Sequence, residues 1–186
     1  MRYEYRMLHG TPAVCYANAL LIADLHIGIE IEYVRKGWKL DSITERMIAR
    51  IMDARDQTKA VKLIIVGDLK HTVSGRRFRE EKEIKMLLEH IRGGFNEIWL
   101  VKGNHDAGIE SLLPENIHLA NARGMTYERA GIFHGHAHPD TAVAHSSLVF
   151  MAHEHPMVAL PTFPSKAVLQ CYMVLEEENR VVVVMP

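Results

Sequence analysis

The chain has 186 residues, the size of one ordinary domain, and we expect residues 1–186 to form a single domain. Its 22 Lys and Arg residues nearly balance its 23 Asp and Glu residues, and the net charge of −1 argues against a uniformly basic nucleic-acid coat or an acidic tail. Hydrophobic residues make up 48% and charged residues 24%, a mixture that is typical of folded globular proteins and excludes disorder.

The sequence does not predict membrane insertion or secretion. The longest apolar stretch, residues 16–23, is far shorter than the roughly 20 residues that a membrane-spanning helix needs. Arg2, Glu4 and Arg6 interrupt the N-terminal segment, where an export signal requires apolar residues. Two cysteines are too few for a disulfide scaffold. We therefore expect a cytoplasmic protein with no membrane partner.

In the first half of the chain, short apolar runs alternate with helical patterns. Residues 19–23, 61–66 and 97–101 are short apolar runs that end at polar turns, which predicts buried strands. A capping-box pattern at residues 42–45 introduces one helix, and residues 78–91 repeat the helical spacing before two glycines. The order strand, helix, strand, helix, strand predicts a parallel sheet with right-handed crossovers.

In the second half, short strands follow one another without long helices between them. A second, more antiparallel sheet is therefore expected, with a hairpin turn at residues 176–179. Its predicted strands are residues 125–129, 131–134, 148–151, 167–175 and 180–185. The two halves together predict an α/β sandwich.

Polar residues stand where the predicted strands end, which is where the ligand crevice of an open α/β sheet lies. These residues are Asp24, His26, Asp68, Asn104, His105, Asp106, His134, His153 and His155. Carboxylate, amide and imidazole ligands without cysteine suit Mn, Fe or Zn and argue against a soft-metal or structural zinc site. Apart from the pair His105 and Asp106, the list contains seven candidate ligands, which exceed the needs of one tetrahedral ion and suggest two metals that share a bridging carboxylate.

Five short motifs carry a resemblance to a known superfamily. In chain order they are Asp24-Leu-His26-Ile-Gly28, Gly67-Asp68, Gly103-Asn104-His105-Asp106, His134-Gly135 and His153-Glu-His155. The set is similar to the five signature blocks of calcineurin-like metallophosphoesterases, and five blocks in the right order are far more specific than any one of them. The surrounding residues resemble those of small prokaryotic phosphoesterases related to the SbcD repair nuclease.

The resemblance implies a fold, an activity and a role for each matched residue. The implied fold is an αββα sandwich, in which two mixed sheets are flanked by helices. The implied activity is metal-dependent hydrolysis of phosphodiesters by a hydroxide that two divalent ions activate, with manganese first and iron or zinc as alternatives. Asp24, His26 and His155 would hold one ion, Asn104, His134 and His153 the other, and Asp68 would bridge them. His105 would act near the leaving group, and Asp106 would fix its ring.

Several residues keep two interpretations. Each Asp taken singly is more typical of a turn. The alternation of His153 and His155 favours two ligands on one face of a strand end. His136 is either a substrate contact or a neighbour of the ligands, and His71 either contacts substrate or caps a loop. Ala152 departs from the superfamily pattern, which has glycine before the last motif.

A basic loop follows Asp68 and contains Lys70, Arg76, Arg77 and Arg79. A solvated charge run is the favoured interpretation, and a phosphate-binding lip is the alternative.

Two other functions remain open beside the phosphoesterase, whose partner would be a phosphoester substrate, with nucleotides and short nucleic acids among the candidates. One is a catalytically silent metal-binding or scaffold module of the same fold, for which a protein partner is conceivable. The other is a nuclease that is active only within a complex.

Overall fold

The computed structural model describes residues 4–40, 42–73, 77–161 and 165–186. A six-stranded sheet carries the first half of the chain, and its strands are adjacent in the order of the sequence. They are β1 (Tyr5–Met7), β2 (Ala13–Tyr16), β3 (Ala19–Ile22), β4 (Lys62–Val66), β5 (Glu97–Val101) and β6 (Ile117–Ala120). Strands β3 to β6 are parallel, whereas β1, β2 and β3 pair antiparallel. The predicted parallel sheet is therefore confirmed for β3, β4 and β5.

The central strands are apolar on both faces because both faces are covered. In β4, Leu63 and Ile65 pack on the helix side, while Ile64 and Val66 pack on the second sheet. Side chains of a strand alternate between its two faces, so a continuous apolar run is what a doubly covered strand requires.

The α-helices of the described chain are α1 (Ile29–Arg35), α2 (Thr44–Thr58), α3 (Phe78–Ile91) and α4 (Thr141–Ala144). Helices α2 and α3 cover the outer face of the first sheet, where Ile51, Ile84 and Leu88 belong to one core cluster with Leu63 and Ile65. None of the described helices is long and apolar enough to cross a lipid bilayer.

The second sheet contains the strands β7 (Met125–Tyr127), β8 (Ala130–Ile132), β9 (Leu148–Met151), β12 (Met173–Glu177) and β13 (Arg180–Val184). Their order across the sheet is β12-β13-β9-β8-β7. Both parallel and antiparallel pairs occur, so this sheet is mixed. Ile132, Phe150 and Val183 pack against the first sheet, and Val143 of α4 packs with Val149 on the outer face. The layers are therefore helix, sheet, sheet and helix, which confirms the predicted sandwich.

One predicted strand is wrong, because residues 167–175 form two strands that belong to different sheets. Strand β11 (Lys166–Gln170) pairs with β10 (Met157–Pro161) in a separate hairpin, whereas β12 pairs with β13. Cys171 donates its backbone N–H to the carbonyl of Pro156, and the Tyr172 hydroxyl donates to the carbonyl of Ala13. These tertiary bonds turn the chain between the two strands.

The predicted capping box also differs from the structure. The Ser42 hydroxyl accepts the N–H of Thr44, two residues along the chain, and donates to the carboxylate of Glu83 on α3. The serine therefore links two helices, because a partner on α3 is within reach. Strands β1, β2 and β10 and helix α1 are not predicted by the sequence patterns. They are short, and β10 is exposed along its whole length.

Candidate metal centre

The loops that follow β3, β4 and β5 lie side by side at the carboxyl edge of the first sheet. The backbone N–H of Asp24 donates to the carbonyl of Gly67 over 3.2 Å, and the N–H of His26 donates to the carbonyl of Asp68 over 2.9 Å. Ladder-like bonds thus continue beyond the strand ends and hold the two motifs together. Parallel strands bring such loops to the same edge, where their side chains converge.

Five of the seven predicted ligands have a left-handed backbone. Their φ angles are 51° at Asp24, 43° at His26, 51° at Asp68, 72° at His153 and 43° at His155. A non-glycine residue in this conformation costs on the order of 1 kcal/mol or more, and such residues concentrate at functional sites. The surrounding structure holds these backbones in place so that the side chains point into a common space.

The first cluster consists of Asp24, His26 and His155. One potential ligand atom from each lies within 4.8 Å of the others. The Nε2 atom of His155 is 3.8 Å from Oδ1 of Asp24, and the rings of His26 and His155 stack with centroids 5.5 Å apart. These three residues also line a cavity that is open to solvent.

The second cluster consists of Asp68, His134 and His153, with Asn104 beside it. His134 is fully buried, and its Nδ1 lies 3.0 Å from the Val66 carbonyl. If Nδ1 carries the proton toward that carbonyl, the Nε2 lone pair of neutral His134 faces Oδ2 of Asp68 at 3.4 Å and Oδ1 of Asn104 at 3.2 Å. Three acceptor atoms that face one another require a cation or an added proton between them.

Asp68 stands between the two clusters. Its Oδ2 atom is 3.4 Å from Nε2 of His134 and 3.8 Å from Nε2 of both His26 and His105. Its other oxygen, Oδ1, accepts the backbone N–H of His105 over 2.9 Å. One carboxylate oxygen is fixed by the backbone, and the other is directed at imidazoles of both clusters.

The charge states of these groups favour cation binding. Burial opposes ionisation of Asp68, but the hydrogen bonds from His134 and the His105 amide outweigh it and lower the pKa of Asp68 to about 2. Burial, only partly offset by Asp68, lowers the pKa of His26 to about 4. At neutral pH the Asp68 carboxylate is charged and the His26 ring is neutral, which are the forms that bind a metal.

Two other pKa values reflect burial and the opposite charges nearby. Burial raises the pKa of Asp24, against the attraction of His134 and His155. For His134, burial acts to lower the pKa, but the hydrogen bond with Asp68 prevails and raises it. In the absence of a metal, the Asp68 carboxylate therefore favours the protonated form of His134.

The donor set fits divalent ions. Oδ1 of Asp24 and Nδ1 of His26 are buried, and the described protein atoms give them no hydrogen-bond partner. Buried polar atoms without a partner are rare in folded proteins, and an ion or ordered water is the usual explanation. Imidazole nitrogen with carboxylate and amide oxygen suits manganese, iron or zinc.

Two glycines make this arrangement possible. A Cβ atom on Gly67, whose φ is +81°, would lie 2.2 Å from Nδ1 of His134, and a Cβ atom on Gly103 would lie 2.2 Å from Oδ1 of Asp68. Neither position accepts a side chain while these ligands keep their places. Ala152, the departure from the superfamily pattern, is buried and is not among the residues with positive φ, so its methyl group causes no backbone strain.

The expected contact between Asp106 and the His105 ring is wrong. Nδ1 of His105 pairs with the carbonyl of His71 in a short contact. The Asp106 carboxylate accepts the backbone N–H groups of Gly103 and Lys70, over 2.9 and 3.3 Å. Asp106 is fully buried between two motif loops, so it holds their backbones together, and burial raises its pKa.

The expectation that His153 and His155 share one face of a strand end is also wrong. Strand β9 ends at Met151, and both histidines lie in a loop with positive φ. The loop directs His153 to Asp68 and His134 and directs His155 to Asp24 and His26. The last motif therefore supplies one side chain to each cluster.

His71 and His136 lie beside the clusters. The ring nitrogens of His26, His71 and His105 form a third group within 4.8 Å, and His71 is 3.6 Å from the Glu32 carboxylate. The sequence predicts either a substrate contact or a loop cap for His71, and its signal is its place three residues after Asp68. His136 lies over His134, with ring centroids 5.3 Å apart, and burial lowers its pKa.

The basic loop is only partly as expected. Lys70 is buried, and its ammonium donates to the carbonyl of Thr72, so it is not a solvated charge. Arg77 lies 3.7 Å from Glu32, and Arg79 is exposed. Arg76 lies outside the described residues.

Solved structures share this architecture. The chain aligns over its full length with 86% of a nuclease from Pseudomonas putida named MPE, at 22% identity and a TM-score of 0.66. Over 89% of its length it aligns with 77% of YfcE, a phosphoesterase from E. coli, at 18% identity and a TM-score of 0.51. The chain has the metallophosphoesterase fold. The fold expected from the resemblance to calcineurin-like metallophosphoesterases is thus confirmed. Within this metallophosphoesterase fold, the candidate ligands lie in the crevice at the carboxyl edge of the first sheet. No protein-family model and no curated protein matches the sequence.

Proposed function

We propose that the protein is a phosphoesterase that binds two divalent metal ions and hydrolyses phosphodiesters. The observation that carries the proposal is the position of Asp68, because its Oδ2 atom faces Nε2 of His26 in the first cluster and Nε2 of His134 in the second. A carboxylate oxygen placed between two sets of ligands is the arrangement that a bridging ligand requires. Manganese is the first candidate, with iron or zinc as alternatives.

Each cluster would hold one ion, and the two clusters differ in how far they are buried. Asp24, His26 and His155 would bind the ion at the open side. His134, His153 and Asn104 would bind the ion at the buried side. When bound, such ions lower the pKa of water and polarise phosphoryl oxygens. Neighbouring backbone groups fix the positions of the candidate ligands. The Val66 carbonyl orients the His134 ring, and the His105 amide orients the Asp68 carboxylate.

His105 is the candidate for proton transfer to the leaving group. Its Nδ1 pairs with the carbonyl of His71, which directs Nε2 into the site at 3.8 Å from Oδ2 of Asp68. A ring held in this way presents one nitrogen to the ester oxygen that leaves. General acids of this kind contribute typically 10²- to 10⁴-fold to the rate.

Nucleic acid is a candidate substrate, because the aligned Pseudomonas putida protein is named a nuclease. Digestion of labelled single-stranded and duplex DNA would test this finer assignment. We expect cleavage that depends on added manganese and weakens as the salt concentration rises, since backbone phosphates dominate such contacts. Activity that appears only after a protein partner is added would favour a nuclease that works within a complex.

The direct test combines metal content with the bridging residue. The purified protein should contain close to two manganese equivalents after reconstitution and should hydrolyse bis(p-nitrophenyl) phosphate. Asp68→Asn removes the charge but keeps the shape, and we expect a loss of turnover on the order of 10³-fold with one metal lost. Asp53→Asn on the exposed face of α2 is the matched control and should change neither quantity.

Two results would overturn the proposal. If the Asp68→Asn variant had the full turnover of the wild type, Asp68 would not be a bridging ligand. Metal-loaded, folded wild-type protein that hydrolyses neither diesters nor monoesters would favour the silent scaffold module instead.

A further inference from the structure

A cavity of about 380 Å³ adjoins the first cluster and is not used by the chemistry described above. Asp24, His26 and His155 form one part of its wall. Most of the remaining lining is apolar and comes from β3, the loop after it, α1 and α2. It includes Ile22, Leu25, Ile29, Met47, Ile51 and Ala54.

The cavity exists because α2 does not cover the sheet completely. Ile51 and Ala54 are buried against the first sheet, but Met47, one turn toward the N-terminus, is only partly buried. Apolar surface next to the metal-ligand cluster is therefore left open to solvent. Exposed apolar surface of this kind has a free-energy cost that a bound apolar group would relieve.

A positively charged side chain, the exposed Arg50, also lines the cavity. The Arg50 guanidinium donates to the carbonyl of Gly10 over 2.9 Å, which ties the side chain to the loop between β1 and β2. A guanidinium has five N–H donors, so this bond leaves donors for an anionic oxygen. The cavity therefore combines an apolar wall, an arginine and a metal-ligand cluster.

We propose that this cavity binds an apolar organic group carried on the phosphorus of the substrate. The protein then prefers phosphoesters with a ring or an alkyl chain over those with a small group. This inference rests on the proposed function, because the first cluster with its ion would hold the phosphoryl oxygens beside the cavity. The volume lies within the range of small-molecule sites, and apolar lining with few polar groups is typical of them.

The test compares phosphonates that differ in the organic group, at a pH above their second pKa values, where all of them carry the same charge. Binding of methyl-, phenyl- and hexylphosphonate to the manganese-loaded protein is measured by titration calorimetry. We expect phenyl- or hexylphosphonate to bind at least about tenfold more tightly than methylphosphonate, because the larger group leaves water. A larger gain for phenyl indicates a ring, such as a nucleobase, and a larger gain for hexyl indicates a lipid-like chain. Equal affinities for all three would overturn the inference.

A pair of variants on α2 locates the effect. Met47→Trp places a larger side chain in the cavity and should reduce the preference for the larger phosphonates to less than about threefold. Ala49→Trp adds the same side chain at an exposed position of α2 outside the lining and should keep the preference. Circular dichroism checks that both variants fold. If the folded Met47→Trp variant keeps the preference for the larger phosphonates, the inference is overturned. If that variant does not fold, the comparison of the three phosphonates on the wild-type protein decides whether the inference holds.

The same titrations separate this inference from the proposed function. Methylphosphonate lacks the large group, so its binding reports on the metal centre alone. Manganese-dependent binding of methylphosphonate with no gain for the larger groups would leave the proposed function standing and remove the cavity's role. No manganese-dependent binding of any phosphonate would count against both.

Discussion

The two sides of the candidate metal centre differ in how much of their geometry the protein fixes. On the Asp68 side, the side chain of His134 has no exposed surface, its ring is hydrogen-bonded to the Val66 carbonyl, and Gly67 packs directly against the ring. His155 on the Asp24 side is 41% exposed and borders an open cavity. The comparison teaches that the buried side is part of the fold, whereas the open side is accessible from solvent, so that an ion proposed there would exchange more readily.

Single ligand deletions should expose this difference most strongly. His134→Ala and His155→Ala should each lower turnover by about 10²-fold or more, because each removes a candidate ligand. Only His134→Ala should also destabilise the metal-free protein, by about 2 kcal/mol, since it leaves a buried cavity and an unpaired carbonyl. Urea unfolding in the presence of a chelator measures the second effect, and equal stabilities would contradict the distinction.

Gly67→Ala should disrupt the ligand geometry on the buried side of the metal centre without removing any ligand. The new Cβ atom would overlap the His134 ring, at a position whose φ is +81°. Gly108, with φ +73° and open space around it, provides the control, because Gly108→Ala carries the backbone cost alone. We expect Gly67→Ala to lose about 2 kcal/mol more than Gly108→Ala, together with one metal equivalent. Similar losses of stability in Gly67→Ala and Gly108→Ala, measured by thermal unfolding, would show that the His134 ring has room to move.

Stepwise metal removal should separate the two sides by affinity. Titration of the manganese-loaded protein with a chelator is expected to give two phases that differ by about tenfold in affinity, with the open side emptied first. The weaker phase should disappear in His155→Ala. A single phase for both ions would contradict this asymmetry.

His136→Gln should have the smallest effect. His136 packs on His134 and His153 at ring-centroid distances of 5.3 and 6.1 Å and is not among the candidate ligands. We expect metal content to stay unchanged and turnover of the diester to change by less than about fivefold, mainly through KM. A lost metal equivalent would instead make His136 a ligand.

Sequence patterns predicted most of the strands and helices that carry the site. Strand β5 and helix α3 have the predicted bounds, because apolar periods and glycine punctuation are local signals. The strands at the edges are short and lack such signals, and the separation of β11 from β12 depends on bonds to Pro156 and Ala13, far away in the sequence.

For the site, the sequence by itself determined which residue types stand at the strand ends, since the five motifs are local. The resemblance also implies how these residues divide between two ions, but only the tertiary structure decided the backbone geometry that separates them. His153 and His155 are two residues apart but belong to opposite clusters, because positive φ angles turn the loop between them. Asp106 joins backbones and the carbonyl of His71 holds the His105 ring, because loops from different strands meet at one sheet edge. The apolar cavity beside Asp24 likewise arises from how far α2 covers the sheet, which is a property of packing and not of any motif.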